Sequence, residues 1–427
     1  MSDTIHALAS APGKSGVAVT RLSGRLAFEV AASLMGSLPA ERMASVRVLR
    51  DTAGEVIDEA LVIVFGEGSS FTGEPTVEFQ THGSMAVVAR LASSLSGFPG
   101  VRPAEAGEFT RRALENDRLS LLQVEGLADL IDAETDLQRQ QALVGFTGRS
   151  GELIQSWRED LIRAASLLEA VVDFGDEDVP VDVSDDVRFC LNRFVGSARK
   201  ELGGVVAAAR VKSGFEVAII GSPNVGKSTL LNYIAGRDVA ITSDIAGTTR
   251  DVIEVRVDLS GMAVTFLDTA GLRETSDVVE GLGVSRARRR AEEADLRIVL
   301  LGEGEEVLPG LVDGDIVVQG KSDVSGGEGV SGVTGEGVAG LLARVEAVLS
   351  ERVSDAGVLS WGRHEVRARN AVCSVERAFE QLEFGPDNYV LVSEEVRAAL
   401  RQLDGLIGKV DVEDLLDSIF LSFCIGK

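Results

Sequence analysis

Between Phe215 and Ala235 an apolar run leads straight into GSPNVGKS and then into a second apolar-patterned run. Few folds accommodate that order. Phe215–Ile220 predicts a buried strand and Thr229–Ala235 predicts a helix. The loop between them matches G-x-x-x-x-G-K-[ST] at Gly221, Gly226, Lys227 and Ser228. Its glycines let backbone N–H groups turn inward on phosphate oxygens, and the helix start adds a favourable dipole. Lys227 is placed to reach the β and γ phosphates, and Ser228 to ligate Mg2+. Asn224, Val225 and Thr229 complete the cradle. A strand that feeds a phosphate loop and a helix commits this part of the chain to a parallel α/β sheet.

Three downstream segments extend the site. Asp268-Thr-Ala-Gly271 follows a predicted strand, Val264–Leu267. The Asp268 carboxylate suits Mg2+, directly or through water, and the Gly271 N–H can meet the γ phosphate, so this loop can sense hydrolysis. Gly247–Asp251 (GTTRD) lies between, with Thr249 a candidate Mg2+ ligand and Thr248 beside it. Lys321-Ser322-Asp323 follows a predicted strand, Asp315–Val318. A carboxylate at 323 accepts two hydrogen bonds from guanine N1 and N2, which adenine does not supply. The pattern is similar to the guanine-reading N-K-x-D motif, with Gly320 in place of Asn. That exchange removes a polar contact near the base and a tie to the phosphate loop, worth about 1–3 kcal/mol. Ser331-Gly332 reads as the loop backing the base, with Gly where Ala is usual. Position 272 is Leu, whereas a Ras-like enzyme has Gln near there, so another group must orient the attacking water.

The texture of the whole chain sets the architecture. A length of 427 residues predicts two to four domains. Residues 1–117 mix short β-like runs (Val17–Leu22, Ala60–Phe65, Thr76–Thr81) with helical stretches. Residues 118–212 read as long helices, one carrying Ile154, Trp157, Leu161, Leu168 and Val172 on a single face. Residues 213–352 alternate strand and helix, and 353–427 are helical again, over 362–383, 393–406 and 412–421. The predicted fold is multi-domain α/β plus all-α. An N-terminal α/β domain (1–117) is followed by a discontinuous helical domain (118–212 and 353–427) into which a Ras-like P-loop domain (213–352) is inserted. Residues 302–313 are too few for the helix usual between two such strands, so that helix is predicted lost or vestigial. The Gly-rich stretch 325–337 reads as a nucleotide-facing loop.

Composition excludes several classes. A net charge of −25 leaves no broad basic surface for gripping RNA. No apolar run approaches the ~18 residues of a membrane span. Cys190, Cys373 and Cys424 lie too far apart for a disulfide framework or a zinc site, and the first twenty residues carry a single Lys, unlike a targeting leader. A cytoplasmic home with no membrane association is expected.

The segments DIAGTTRD (Asp244–Asp251), DTAGLRE with Glu280 beyond it, and the terminal FCIGK (Phe423–Lys427) add a further layer. So do APGKSGVAVTRLSG (Ala11–Gly24), FTGEPTVEFQTHG (Phe71–Gly83) and PAEAGEFTRRALENDRLSLLQVEGLADLIDA (Pro103–Ala133). Together they resemble the MnmE (TrmE) family of tRNA-modifying GTPases over nearly the whole chain. The resemblance implies an N-terminal domain that forms a homodimer and binds a tetrahydrofolate derivative, in its formyl or methylene form. It implies an FAD- and NADH-using MnmG-like partner in a heterotetramer, with tRNA contacted mainly through the complex. The implied product is an aminomethyl or carboxymethylaminomethyl group on C5 of the wobble uridine, and the implied engine is K+-stimulated GTP hydrolysis that drives G-domain association.

Residue by residue, the resemblance makes Asn224 the K+ ligand. A K+ beside the β–γ bridge offsets transition-state charge as an arginine finger does. It gives Glu280, Lys227, Thr249, Arg273 and Cys424 catalytic roles, Glu280 orienting water through a bridging water. Arg250 becomes a second switch arginine, and Arg21, Glu78 and Lys427 join the folate-side residues. Other readings of the same residues stay open. Glu280 alone reads as a solvated carboxylate, Arg250 and Arg273 as surface charge pairs, Arg21 as a structural salt bridge, and Cys424 as a small buried hydrophobe. His82 reads as structural. For the whole chain, a ribosome-assembly switch and a degenerate GTPase scaffold are the rivals, the latter resting on Gly320.

Overall fold

The computed structural model describes residues 3–173, 182–237, 241, 254–268, 290, 293–305, 311, 314–326, 328–408 and 426. The chain divides into two compact units, Met1–Ala128 with Asp404–Lys427, and Asp129–Leu403.

Alternation along β4 and β5 builds the core face of the first unit. Strands β1 (Thr4–Leu8), β2 (Ser15–Ser23), β3 (Ser45–Arg50), β4 (Val56–Phe65), β5 (Thr76–Gly83) and β6 (Val101–Pro103) form one sheet in the order β3-β4-β5-β2-β1-β6. All pairings are antiparallel except β1 with β6. Ala60, Val62 and Val64 of β4 and Val77 and Phe79 of β5 point to one face, every second residue, as a half-buried strand requires. Helices α1 (Ala27–Met35) and α2 (Met85–Ser96) cover that face with Val30, Leu34, Leu91 and Leu95. Helices α3 (Glu108–Glu115) and α4 (Leu121–Asp132) follow the sheet.

In the second unit, α5 (Asp136–Phe146), α6 (Arg149–Asp173) and α7 (Ser184–Ser213) precede a second sheet, and α11 (Gly362–Leu382) and α12 (Tyr389–Leu406) follow it. Ile154, Trp157, Leu161 and Leu168 are buried along α6, as their spacing predicts. Trp157 meets Phe194 of α7 edge-on at 5.8 Å and donates its Nε1–H to Ser197 Oγ at 2.9 Å. Val172, expected on the same face, is 45% exposed in the final turn of α6. Where the chain returns from the second sheet, the Gly357 N–H donates to Gly204 O of α7 at 3.2 Å. A Cβ on Gly204 would stand 2.4 Å from Asp355 O and 2.5 Å from the Gly357 nitrogen, so only glycine permits the approach.

The second sheet comprises β7 (Phe215–Gly221), β8 (Glu254–Leu259), β9 (Met262–Asp268), β10 (Leu296–Leu301) and β11 (Ile316–Gln319), in the order β11-β10-β7-β9-β8. It is parallel except for β8, which turns back on β9 as an antiparallel edge. The central strands carry near-continuous apolar runs, as strands covered on both faces do. Val217, Ile219, Phe266, Ile298 and Leu300 meet α8 (Lys227–Ala235) through Leu231 and Ile234, and α10 (Val338–Val353) through Leu341 and Val345. A short α9 (Ser322–Ser325) lies between. Between β10 and β11, none of the described residues is helical. Among the described residues no helix is long and apolar enough to cross a membrane.

Candidate nucleotide site

The site lies at the carboxyl end of β7, where open α/β sheets place their ligands. Gly221 ends the strand against β10, and a Cβ there would fall 2.3 Å from Leu300 O. Asn224 adopts φ 62° and Gly226 φ 109°. These left-handed residues curl the loop before Gly226 caps α8. Lys227 is 5% exposed, and its Nζ donates to Gly221 O at 2.7 Å and Ser222 O at 2.9 Å. Burial pulls the ammonium pKa down, against the opposing pull of Asp268 and Glu305.

Register brings the metal-binding chemistry together. Asp268 pairs across from Ile219 in the β7–β9 ladder, and its Oδ2 accepts from Ser228 Oγ at 2.5 Å. Two hard oxygens this close at the head of a phosphate loop are the donor set that Mg2+ takes with phosphate and water, and the residues present fit it. Sequence reasoning missed Glu305. Its Oε2 accepts from the Gly302 N–H at 2.7 Å. That bond, then one from Ser222 and the charge of Lys227, hold its carboxyl below the usual range. The glycines at 302 and 304, directly after the β10 run, were the available signal: they mark a turn beside the phosphate loop.

A cavity of about 190 Å3 adjoins the loop, walled by Val225, Thr229, Leu230, Lys321, Asp323, Val330 and Gly332 among others. Of the residues read from sequence as base-facing, Lys321, Asp323 and Gly332 line it, whereas Ser322 and Ser331 are buried behind it. Lys321 adopts φ 57° and starts α9. Val330 pairs with Gly320 in a parallel bridge beyond β11. Ser331 is fully buried, and its Oγ accepts from the Val333 and Thr334 N–H groups, each at 3.2 Å.

In the first unit, Arg21 and Glu78 face one another across β2 and β5, joined at 3.1 and 2.9 Å. The Arg21 guanidinium sits 5.4 Å from the Phe71 ring centroid and 5.5 Å from that of Phe109. The structural salt bridge is therefore present, set among aromatic rings. His82 has a partner that the sequence did not reveal: its backbone N–H and Nδ1 both meet Asp58, at 2.8 and 2.9 Å. Glu280, Thr248, Thr249, Arg250, Gly271, Arg273, Cys424, Lys427 and the helix expected over 412–421 lie outside the described residues.

A family model described as the MnmE helical domain matches residues 121–424, and one described as the GTP-binding protein TrmE N-terminus matches residues 4–118. The tRNA modification GTPase MnmE of Roseobacter denitrificans is 53% identical over 427 residues, covering 100% of both chains. This chain belongs to the MnmE family. The MnmE proteins of Cereibacter sphaeroides and Dinoroseobacter shibae are 55% and 54% identical, again over 100% of each chain. The MnmE assignment accounts for the order of elements seen here: an N-terminal sheet first, then helices on both sides of a P-loop sheet.

Proposed function

We propose that this protein is a Mg2+-dependent, K+-stimulated GTP hydrolase that works on tRNA in the cytoplasm. With an FAD-using, MnmG-like partner it installs an aminomethyl or carboxymethylaminomethyl group on C5 of the wobble uridine. The observation that carries the reading is the convergence of Lys227, Ser228 and Asp268 at the end of β7, in a chain alike over its full length to MnmE proteins.

In this reading the N–H groups of Asn224, Gly226, Lys227 and Ser228 bind the phosphates. Lys227 neutralises charge at the β–γ bridge, and Asp323 orients guanine. Ser228 and Asp268 hold Mg2+, with Thr249 as a third ligand. Mg2+ supplies charge neutralisation on the transferring phosphoryl group. Asn224, exposed on a left-handed turn, offers an amide oxygen to K+. Thr248 and Gly271 complete the phosphate contacts, and Glu280 and Arg273 act from the switch segments. In the N-terminal domain, Arg21 beside the Phe71 and Phe109 rings offers a cation to a ligand carboxylate, and Glu78 an acceptor to ligand N–H groups, which supports a formyl- or methylene-tetrahydrofolate there. Lys427 and Cys424 are assigned to the same site. The domains fall at 1–117, 118–212 with 353–427, and 213–352. The working form is a homodimer whose G domains associate on GTP turnover, within a heterotetramer that supplies most of the tRNA grip.

GTP hydrolysis by the full chain in K+ against Na+ buffer tests the core of this. We expect strong K+ stimulation that is lost in Asn224→Ala, and loss of turnover in Glu280→Ala. No turnover at saturating GTP in either salt refutes the proposal.

A further inference from the structure

Gly320 departs from the guanine-reading pattern, and the structure shows what its missing side chain changes. An ideal Cβ on Gly320 would stand 2.6 Å from Val225 O and 3.2 Å from Leu300 Cδ2. Real Cβ atoms essentially never approach a backbone atom that closely. The phosphate-loop carbonyl therefore occupies the space from which a side chain at 320 would leave. The Gly320 N–H is already committed, donating to Leu301 O at 2.8 Å, and the parallel bridge to Val330 fixes the segment, with Val330 N–H donating to Gln319 O at 2.8 Å. Position 320 thus offers the base neither a side chain nor a free N–H.

The polar inventory of the cavity is short. Among the described residues only Thr229, Lys321 and Asp323 bring polar side chains to its wall, and the rest are glycine or aliphatic. The Lys321 stem lies over the phosphate loop, its Cγ 3.7 Å from where a Gly226 Cβ would be, so its methylenes form an apolar surface above that loop. Asp323 is exposed, makes no hydrogen bond or ion pair among the described residues, and only accepts. Ser331 is fully buried and does not line the cavity; its Oγ accepts from two N–H groups of its own loop. Among the described residues, the side chains of the wall therefore offer a strong acceptor suited to the N1–H and N2–H edge of guanine, and no side-chain amide for N7.

Resting on the GTP reading above, we propose that this pocket selects guanine through the N1/N2 edge alone and leaves N7 unread, Gly320 packing directly on Val225 where other guanine readers place an amide side chain. Asp323 is then the specificity-determining side chain. Gly320 is a positioning residue that couples the base loop to the phosphate loop by backbone contact.

The test is a competition titration on the full chain with GTP, 7-deaza-GTP and inosine triphosphate in K+ and Mg2+. 7-deaza-GTP, which lacks only N7, is expected to bind within about threefold of GTP. Inosine triphosphate, which lacks the N2 amine, is expected to bind about tenfold or more weakly. Gly320→Asn is expected to weaken GTP about tenfold without creating discrimination against 7-deaza-GTP, because the new side chain displaces Val225. A tenfold or greater loss with 7-deaza-GTP while GTP binds normally overturns the proposal, as does tighter GTP binding by Gly320→Asn. The wild-type series decides the matter even where the variant does not fold. Failure of GTP itself to bind refutes the functional reading, and this proposal with it.

Discussion

Gly332→Ala introduces the residue usual in this loop of guanine readers, and the structure predicts that it harms this protein. Gly332 does not occupy the left-handed region, so alanine imposes no backbone strain and the whole effect is contact. The added Cβ would stand 2.5 Å from the Leu230 nitrogen, 2.5 Å from the Thr229 carbonyl carbon and 2.7 Å from Thr229 O, all backbone atoms in the first turn of α8. Restoring an ordinary 3.4 Å separation requires the loop to retreat by about 0.9 Å. The loop is pinned against retreat by Ser331 N–H to Glu336 O at 3.0 Å, Gly335 N–H to Ser331 O at 2.9 Å, and the two N–H groups on Ser331 Oγ. Overpacking of this kind costs about 1–3 kcal/mol. If that cost falls on the nucleotide-binding conformation, affinity drops about 5- to 150-fold. Equilibrium titration with a fluorescent guanine nucleotide reads this directly, with Val366→Ala as a control because Val366 is 58% exposed on α11 and does not line the cavity. A Gly332→Ala protein that binds within about twofold of wild type would refute the contact argument.

Other outcomes follow from the same geometry. Asp323→Asn presents one acceptor and one donor in place of two acceptor oxygens, so preference should move from GTP to XTP in a competition assay; unchanged preference for GTP removes Asp323 from the base site. Ser228→Ala should weaken GTP about tenfold or more in Mg2+ and leave affinity in EDTA unchanged, since the hydroxyl's partner is the metal-facing Asp268 carboxylate. His6 is 3% exposed and burial lowers its pKa from 6.5, so below pH 6.5 the unfolded chain holds its proton more readily than the folded one. Its contribution to stability is present above pH 6.5 and is lost as pH falls toward its folded pKa, and the slope of urea midpoint against pH should flatten in His6→Gln. Burial alone would raise the Glu108 carboxyl, but hydrogen bonds from Arg102, the Glu105 N–H and Arg112 hold it down to about 2 from 4.5. The stability it contributes above pH 4.5 should disappear as pH falls toward 2, and Glu108→Gln should lose that acid sensitivity.

The sequence exposed the parts of the fold governed by local periodicity. Val17–Leu22, Ala60–Phe65 and Thr76–Thr81 alternate and became β2, β4 and β5, while Phe215–Ile220 and Thr229–Ala235 bracket a loop whose glycines have one common use. Asp268 was legible for the same reason, as a carboxylate at a strand end. What periodicity does not carry is pairing between distant segments. The β1–β6 match, the antiparallel turn of β8, and the His82–Asp58 contact between β5 and β4 depend on register set by the assembled sheet. Gly320 and Gly332 were visible as departures, but their necessity was not, because it arises from backbone carbonyl and amide atoms of the phosphate-loop segment that only the fold brings near. The fall of Val172 out of its helical face likewise reflects where α6 stops being covered rather than anything in its own spacing.

The contact between Gly204 and Gly357 has a thermodynamic consequence. It closes the intervening chain into a ring at its neck, with both ends held by the packing of α7 and α11. Closing a flexible loop on the order of 150 residues costs roughly 4–5 kcal/mol in chain entropy, and here that cost is met by the helices rather than by the P-loop sheet. The P-loop sheet can thus loosen or rearrange while the chain on either side of it stays joined at α7.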